Sequence, residues 1–353
     1  MEHANVLKEI VDIITRDGGS DVHLSEDRYP TIRVTGDLVP LTSLSKLTRK
    51  DTIAFLNILL SDEMKDSFDD NMEVDFSYQH SKDVRFRGNV FVQRGKFGIV
   101  LRLIPKSIKT LEELNVPTEV GDFARLKQGF FLIVGPVGQG KTTTLASLIQ
   151  MINEERAEHI ITIENPIEYL FDQKKSIIDQ REVGIDTEDF HTALVSTLRQ
   201  DVDVILVGEM RDYNTMAAAL TAAETGHLVF STLHTNNASQ TIDRIIDSFP
   251  EGQQDQVRLQ LASTLSGIFS QRLLPRISGG LIPAFELLIN NNAVSNLIRE
   301  ARTHEIDTVI ETGSSNGMID MNRSLADLVR KGEITYDTAK KHSLNPQSLE
   351  RLI

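Results

Sequence analysis

The sequence predicts an α/β chain in two parts: a small α+β domain over residues 1–104, then a larger domain over residues 118–353 built on a parallel sheet covered on both faces. Three observations carry this. From Val84 to Leu103, apolar and polar residues alternate with the period of half-buried strands. Four apolar runs of strand length, at 130–134, 160–163, 203–207 and 228–231, are separated by helical or loop segments. The first run leads into Gly135-Pro136-Val137-Gly138-Gln139-Gly140-Lys141-Thr142, which fits the phosphate-loop pattern G-x-x-x-x-G-K-[ST].

Within the first part, Val6, Leu7, Ile10, Val11 and Ile14 recur at helical spacing, and Asp17-Gly18-Gly19-Ser20 ends that helix. Residues 22–24 and 31–34 read as short strands, with Gly36-Asp37 as a turn. Thr48 and Asp51 have the spacing of a capping box and open a helix that runs through Leu60. The period then becomes two. Val84, Phe86, Val90 and Val92 form one strand; Phe97, Ile99, Leu101 and Leu103 form the next, after Arg94-Gly95-Lys96. This is a β-hairpin with one apolar face. Residues 105–117, with proline at both ends, read as a linker.

Beyond it, Thr143 to Ile152 follows the glycine-rich loop as a helix. Residues 255–274 and 292–302 also read as helices. Gly332 to Ala339 and the last ten residues suggest a short terminal helical bundle. No repeat or low-complexity tract interrupts the pattern.

The composition narrows the function. At 353 residues, with 40% hydrophobic and 25% charged, the chain has room for two or three domains with real cores. A net charge of −14 argues against a motor that grips nucleic acid along a broad basic face. No apolar run approaches the ~18 residues that span a bilayer, and Met1-Glu2-His3 does not open a signal peptide. A cytoplasmic protein is expected, without direct membrane insertion and linked to a membrane only through partners. Cysteine is absent, which excludes disulfides and cysteine-ligated zinc.

The glycine-rich loop carries the chemistry. Glycines let the backbone wrap phosphate while successive N–H groups point inward. The following helix adds its positive end. Lys141 reaches the β- and γ-phosphates, and the Thr142 hydroxyl can ligate Mg²⁺. Thr143 extends the nucleotide-binding set. Val137 and Gln139 occupy variable positions whose side chains are expected to matter little, because the backbone does the binding.

In an open parallel sheet, ligands sit at the carboxyl ends of the strands, and each apolar run here ends in polar chemistry. The second ends at Glu164, the third at Gly208-Glu209, and the fourth near His234. Glu209 follows four apolar residues and suits Mg²⁺ or its waters. Glu164 suits the base that orients an attacking water. The two roles are exchangeable on sequence grounds. His234 is placed to sense the γ-phosphate, and His227 is a further candidate for the nucleotide. Arg85 and Arg87 share the face of the first hairpin strand opposite the apolar one, and Arg102 lies on the second. They read as arginine fingers supplied across a subunit boundary.

Together these residues resemble the secretion ATPase superfamily, and within it the branch that retracts type IV pili in twitching motility. The resemblance covers almost the whole chain. Gly19 to Leu24 (GSDVHL) with Ile32 to Gly36 (IRVTG) resembles that family's PAS-like N-terminal domain. Ile161 to Tyr169 (ITIENPIEY) resembles its Asp box, Val207 to Asp212 (VGEMRD) its Walker B segment, and Thr225 to Asn236 (TGHLVFSTLHTN) its His box. The resemblance implies a RecA-like ATPase domain, hydrolysis of ATP with Mg²⁺, and a homo-hexameric ring at the inner face of the cytoplasmic membrane. Each nucleotide would lie between the N-terminal and RecA-like domains. An inner-membrane platform protein would be the direct partner, and pilin the indirect one. Pilus-assembly and type II secretion ATPases share the core. They usually carry a four-cysteine zinc module and a longer N-terminal region, whereas this chain is read as beginning at the PAS-like domain. The alternatives are such an assembly or secretion motor, or an accessory retraction paralogue of low turnover. Residues 293–300 (AVSNLIRE) are close to a signature of the retraction branch, with Ser295 where it usually has Arg; Asn165 likewise replaces the usual Asp.

Overall fold

The computed structural model describes residues 2–34, 36–81, 84–104 and 107–353. Thr35 of the IRVTG segment, and Pro105 and Lys106 at the start of the expected linker, lie outside the described residues. Two compact units result: residues 1–107 with 166–170, and residues 108–165 with 171–353.

In the first unit the order is α1 (Glu2–Arg16), β1 (Asp21–Ser25), β2 (Thr31–Val34), β3 (Asp37–Pro40), α2 (Arg49–Leu59), α3 (Asp62–Asn71), β4 (Glu73–Ser81), β5 (Val84–Gln93) and β6 (Lys96–Ile104). The capping box at α2 forms as its spacing requires. Thr48 accepts from the Asp51 N–H, and the Asp51 carboxylate accepts from the Thr48 N–H. The six strands pair antiparallel in the order β3-β2-β1-β6-β5-β4. Asp37, expected in a turn, instead opens β3 by pairing with Val34.

Side chains alternate across this sheet. Val22, Leu24, Ile32, Phe86, Val90, Ile99 and Leu101 go to one face and form a core with Leu7, Ile10, Ile14 and Phe55 of the helices. On the other face the register aligns Arg87, Arg102, Asp21 and Arg33 in one row across β5, β6, β1 and β2.

In the second unit, Thr118–Arg125 forms a 3₁₀ segment. Then follow β7 (Gly129–Val134), α4 (Lys141–Glu155), β8 (His159–Glu164), β9 (Ile177–Glu182), α5 (Phe190–Thr197), β10 (Val204–Val207), α6 (Tyr213–Glu224), β11 (Leu228–Leu233), α7 (Ala238–Asp247) and α8 (Glu251–Thr264). After these come β12 (Leu265–Pro275), β13 (Leu281–Ile289), α9 (Asn292–Arg299), α10 (Ile306–Thr312), α11 (Met321–Arg330), α12 (Tyr336–His342) and α13 (Pro346–Leu352). The sheet order is β13-β12-β7-β11-β10-β8-β9, parallel throughout except for antiparallel β13 at the edge.

Both faces of this sheet are buried. Phe130, Leu132 and Val134 of β7 join one core with residues of α5 to α10. Phe131 and Ile133 join the opposite core with α4 and the 3₁₀ segment. Leu111 and Val116, inside the expected linker, are buried in that second core.

The helix expected over 255–274 is corrected: it stops at Thr264, and residues 265–275 form β12. Pairing on both sides overrides the local helical pattern. Only glycine fits at position 267, where a Cβ would stand 2.7 Å from both the Leu288 carbonyl oxygen and the Phe123 ring. Residues 332–335 are likewise a turn before α12, with Gly332 at a φ of 70°. Among the described residues, no helix is long and apolar enough to cross a membrane.

Candidate active site

The glycine-rich loop leaves the carboxyl end of β7 and enters α4. Gly135, Gly138 and Gly140 have φ of 146°, 76° and 78°, conformations that side chains resist. At Gly135 a Cβ would also stand 2.4 Å from the Gln271 carbonyl oxygen. Gly140 caps α4, no side chain bonds to the cap, and the first turn carries no acidic residue. The orphan N–H groups and the positive helix end therefore face the loop, an arrangement that fits phosphate. Thr142 and Thr143 lie in that first turn, while Val137 is exposed at the loop tip.

Lys141 is buried. Its ammonium donates to the carbonyl oxygens of Gly135 at 2.8 Å and Pro136 at 3.0 Å, and lies 3.3 Å from Nδ1 of His234. An ammonium only donates, so Nδ1 must accept and the ring proton sits on Nε2, an assignment made from the hydrogen-bond network. His234 Nε2 is 3.8 Å from Oε2 of Glu209. Burial, and then the positive charges of Lys141 and Arg211, push the His234 pKa below its ordinary value against the pull of Glu209. The ring is therefore neutral at neutral pH.

Glu209 is held by Arg211, whose Nη2 donates at 2.7 Å. The ends of β10 and β11 are stitched together: Ser231 and Thr232 hydroxyls donate to the carbonyls of Val207 and Gly208, each at 2.7 Å. Glu164 ends β8 and is buried; it accepts from the Thr162 hydroxyl at 2.6 Å and from Gln180 Nε2 at 3.3 Å. Strand order spaces these groups. His234, Glu209 and Glu164 follow strands one, two and three places from β7. At about 4.8 Å per strand, Glu164 is rooted roughly 14 Å from the loop's own strand.

Comparison with known proteins places the chain in a family. Residues 3–316 match the family described as type II/IV secretion system protein. The chain belongs to that family. It is 41% identical over 342 residues to the type IV pilus retractation ATPase PilT of Pseudomonas aeruginosa, covering 97% of this chain and 99% of the relative. It is 44% identical over 321 residues to a twitching motility protein of Neisseria gonorrhoeae, covering 91% and 86%. The crystal structure of the pilus retraction motor PilT with bound ADP superposes with a TM-score of 0.91 at 46% identity, over 97% of this chain and 98% of that one.

Three further findings refine the site of this type II/IV secretion family member. His227 is corrected: it precedes β11, at the amino end of the strand, whereas the P-loop follows the carboxyl end of parallel β7. Its Nδ1 instead lies 2.9 Å from the Ala222 carbonyl oxygen. Gln139, expected to be passive, accepts from the Leu273 N–H at 2.7 Å, and its main-chain carbonyl accepts from Gln271 Nε2 at 2.7 Å. Ser295 braces α9: its hydroxyl donates to the Ala262 carbonyl at 2.9 Å and to Asn290 Oδ1 at 3.1 Å.

Arg85, Arg87 and Arg102 belong to the first unit. Arg102 donates to Asp21 at 2.9 Å, with Arg33 at 4.0 Å from the same carboxylate. Asp21 is buried, which alone would raise its pKa. The Ser20 hydroxyl and the Arg102 bond and charge outweigh that and hold it below the ordinary value. Arg87 lies 4.0 Å from Glu168, in the segment 166–170 grouped with this unit.

Among the described residues, no three His, Cys, Asp or Glu side chains are grouped to hold a metal. A hydroxyl from Thr142 and a carboxylate from Glu209 suit an ion that keeps most of its water and phosphate oxygens. Sequence reasoning missed Gln180, Gln271 and the partner role of Arg211. Arg211 stood inside the quoted VGEMRD segment, and its charge two residues after Glu209 was the available signal.

Proposed function

We propose that this chain is a motor ATPase that hydrolyses ATP to ADP and phosphate and uses the cycle to retract type IV pili, powering twitching motility. The observation that carries it is the Lys141–His234–Glu209 cluster at the mouth of the P-loop. Near full-length similarity to PilT supports the direction of the work.

The loop amides and Lys141 hold the β- and γ-phosphates, drawing the ammonium off the Gly135 and Pro136 carbonyls. Thr142 and Glu209 would hold magnesium, which when bound neutralises phosphate charge. Glu164 takes the proton of the attacking water as its oxygen bonds the γ-phosphorus and the bond to the bridging oxygen of ADP breaks. Neutral His234 registers the γ-phosphate through the Lys141 contact. Arg85, Arg87 and Arg102 supply positive charge across the subunit boundary of a homo-hexamer.

In this reading residues 1–104 are a PAS-like domain, 105–117 a linker, and 118–353 a RecA-like domain that includes the terminal helical bundle. The ring works at the inner face of the cytoplasmic membrane on a platform protein, and through it on pilin, without nucleic acid. The test is steady-state Mg²⁺-ATPase activity beside Glu164→Gln, with oligomer mass recorded in the same samples. Hydrolysis by a hexamer, lost in the variant, is expected. A deletion strain should carry surplus pili; loss of pili would instead identify an assembly motor.

A further inference from the structure

β12 outruns its neighbour. It pairs with β7 only as far as Ser270 opposite Val134, so on that side the residues from Gln271 onward lie along the P-loop. Successive side chains leave a strand on opposite faces, and here each face holds a different loop.

On one face is Gln271, which is 3% exposed. Its Nε2 donates to the Gln139 carbonyl at 2.7 Å, and its Oε1 accepts from the Thr144 hydroxyl of α4 at 2.8 Å. The Leu273 N–H returns to Gln139 Oε1 at 2.7 Å. On the other face, the Ser270 hydroxyl donates to the Asn236 carbonyl at 2.9 Å. Arg272 donates to Asn236 Oδ1 at 3.0 Å and to its carbonyl at 3.3 Å. Glu286, opposite Ser270 on β13, accepts from the Ala238 N–H at 2.8 Å. Asn236 follows His234 by two residues.

We propose that β12 is a strut that makes the P-loop and the turn carrying His234 shift together, with Gln271 the positioning residue for the loop and Ser270 and Arg272 those for the turn. The proposal rests on the nucleotide reading above. The physical basis is that the groups on the strand, Ser270, Gln271 and Arg272, are buried, while their loop partners Gln139 and Asn236 are half-buried and exposed, respectively. Neither loop can leave β12 without stranding the buried Ser270, Gln271 or Arg272 group on the strand, which costs more than the bond itself contributes. The strand transmits such a shift because it is anchored to β7 as far as Ser270 and to β13 along the strut, and close packing leaves it little slack.

Hydrogen exchange on the full chain, with and without MgADP, tests this. ADP lacks the γ-phosphate, so it does not reach His234 directly. In wild type, ADP should slow exchange at 135–141 and also at 233–238. In Gln271→Met, which keeps the side-chain volume but removes both bonds, ADP affinity should fall roughly tenfold. At saturating ADP, the slowing at 135–141 should remain while that at 233–238 disappears. Gln139→Ala cuts the bond to Leu273 from the loop side and should weaken the same coupling should Gln271→Met fold poorly. Persistent slowing at 233–238 in both variants would overturn the strut and route the coupling through the Lys141–His234 contact. No slowing at 233–238 in wild type would also overturn it. No slowing at 135–141 in wild type would overturn the nucleotide reading, and the strut with it.

Discussion

The two sheets of this chain store their chemistry in different places. The antiparallel sheet of the first unit buries one face, so its charges stand along the strands: Arg87, Arg102, Asp21 and Arg33 share one row. The mainly parallel sheet of the second unit buries both faces, so central strands such as β7 and β10 are almost wholly apolar. Its candidate chemistry is displaced to the strand ends, at Lys141, Glu164, Glu209 and His234. Which sites a sheet can offer thus follows from how many of its faces it must bury.

Mutations on the two sheets sharpen that contrast. The largest effect is expected from Arg87→Ala or Arg85→Ala, which should lower ATPase turnover ~10³-fold or more without lowering the melting temperature. Wild-type turnover in both would remove the exposed face from the catalytic reading. Glu164→Gln should cost about 10²–10⁴ in kcat with nucleotide affinity retained, read by single-turnover hydrolysis. Asp21→Ala should cost about 1–3 kcal/mol, measured by urea unfolding, because it strips a buried acceptor from Arg102 and Ser20. The Asp21 pKa is depressed in the folded state, so its contribution is present above the ordinary value of 3.8 and is lost as pH falls through the folded value. Wild type and variant should converge in acid.

Glu286 gives the opposite sign. Burial, with help from Asp307 and Asp320 against the Ala238 bond and Arg272, pushes its carboxyl up to about 8. The folded chain keeps a proton that the unfolded chain releases near 4.5, so stability declines as pH rises between those values. Glu286→Gln should flatten that decline in melts taken from pH 5 to 8.5. Ser295→Ala should cost under about 1 kcal/mol, since Asn291 still caps α9.

Legibility followed the same division. The P-loop, the strand ends and the hairpin were readable because each depends on local spacing. In β4, Val74, Phe76 and Tyr78 carry a period-two signal that was present but unread. β9 is an edge strand of mostly polar residues and offers little periodicity. The helix expected at β12 fails because its form is set by pairing, with distant β7 on one side and with its hairpin partner β13 on the other. That error hid Gln271 and Arg272, whose partners are fixed only when the strand is in place. His227 fails for a related reason: which end of β11 lies beside the P-loop is settled only by the parallel pairing with β7.

One irregularity at the start of β12 has consequences for sequence length. The register against β7 steps from Leu265 opposite Phe130 to Gly267 opposite Phe131, so one extra residue is accommodated there. Everything downstream takes its orientation from that step. Deleting a single residue at the bulge would exchange the two addresses, sending Gln271 toward the Asn236 turn and Ser270 and Arg272 toward the phosphate loop. The bulge therefore acts as a reading frame for the strand, and insertions or deletions between Thr264 and Gly267 should be tolerated far less than substitutions at the same positions.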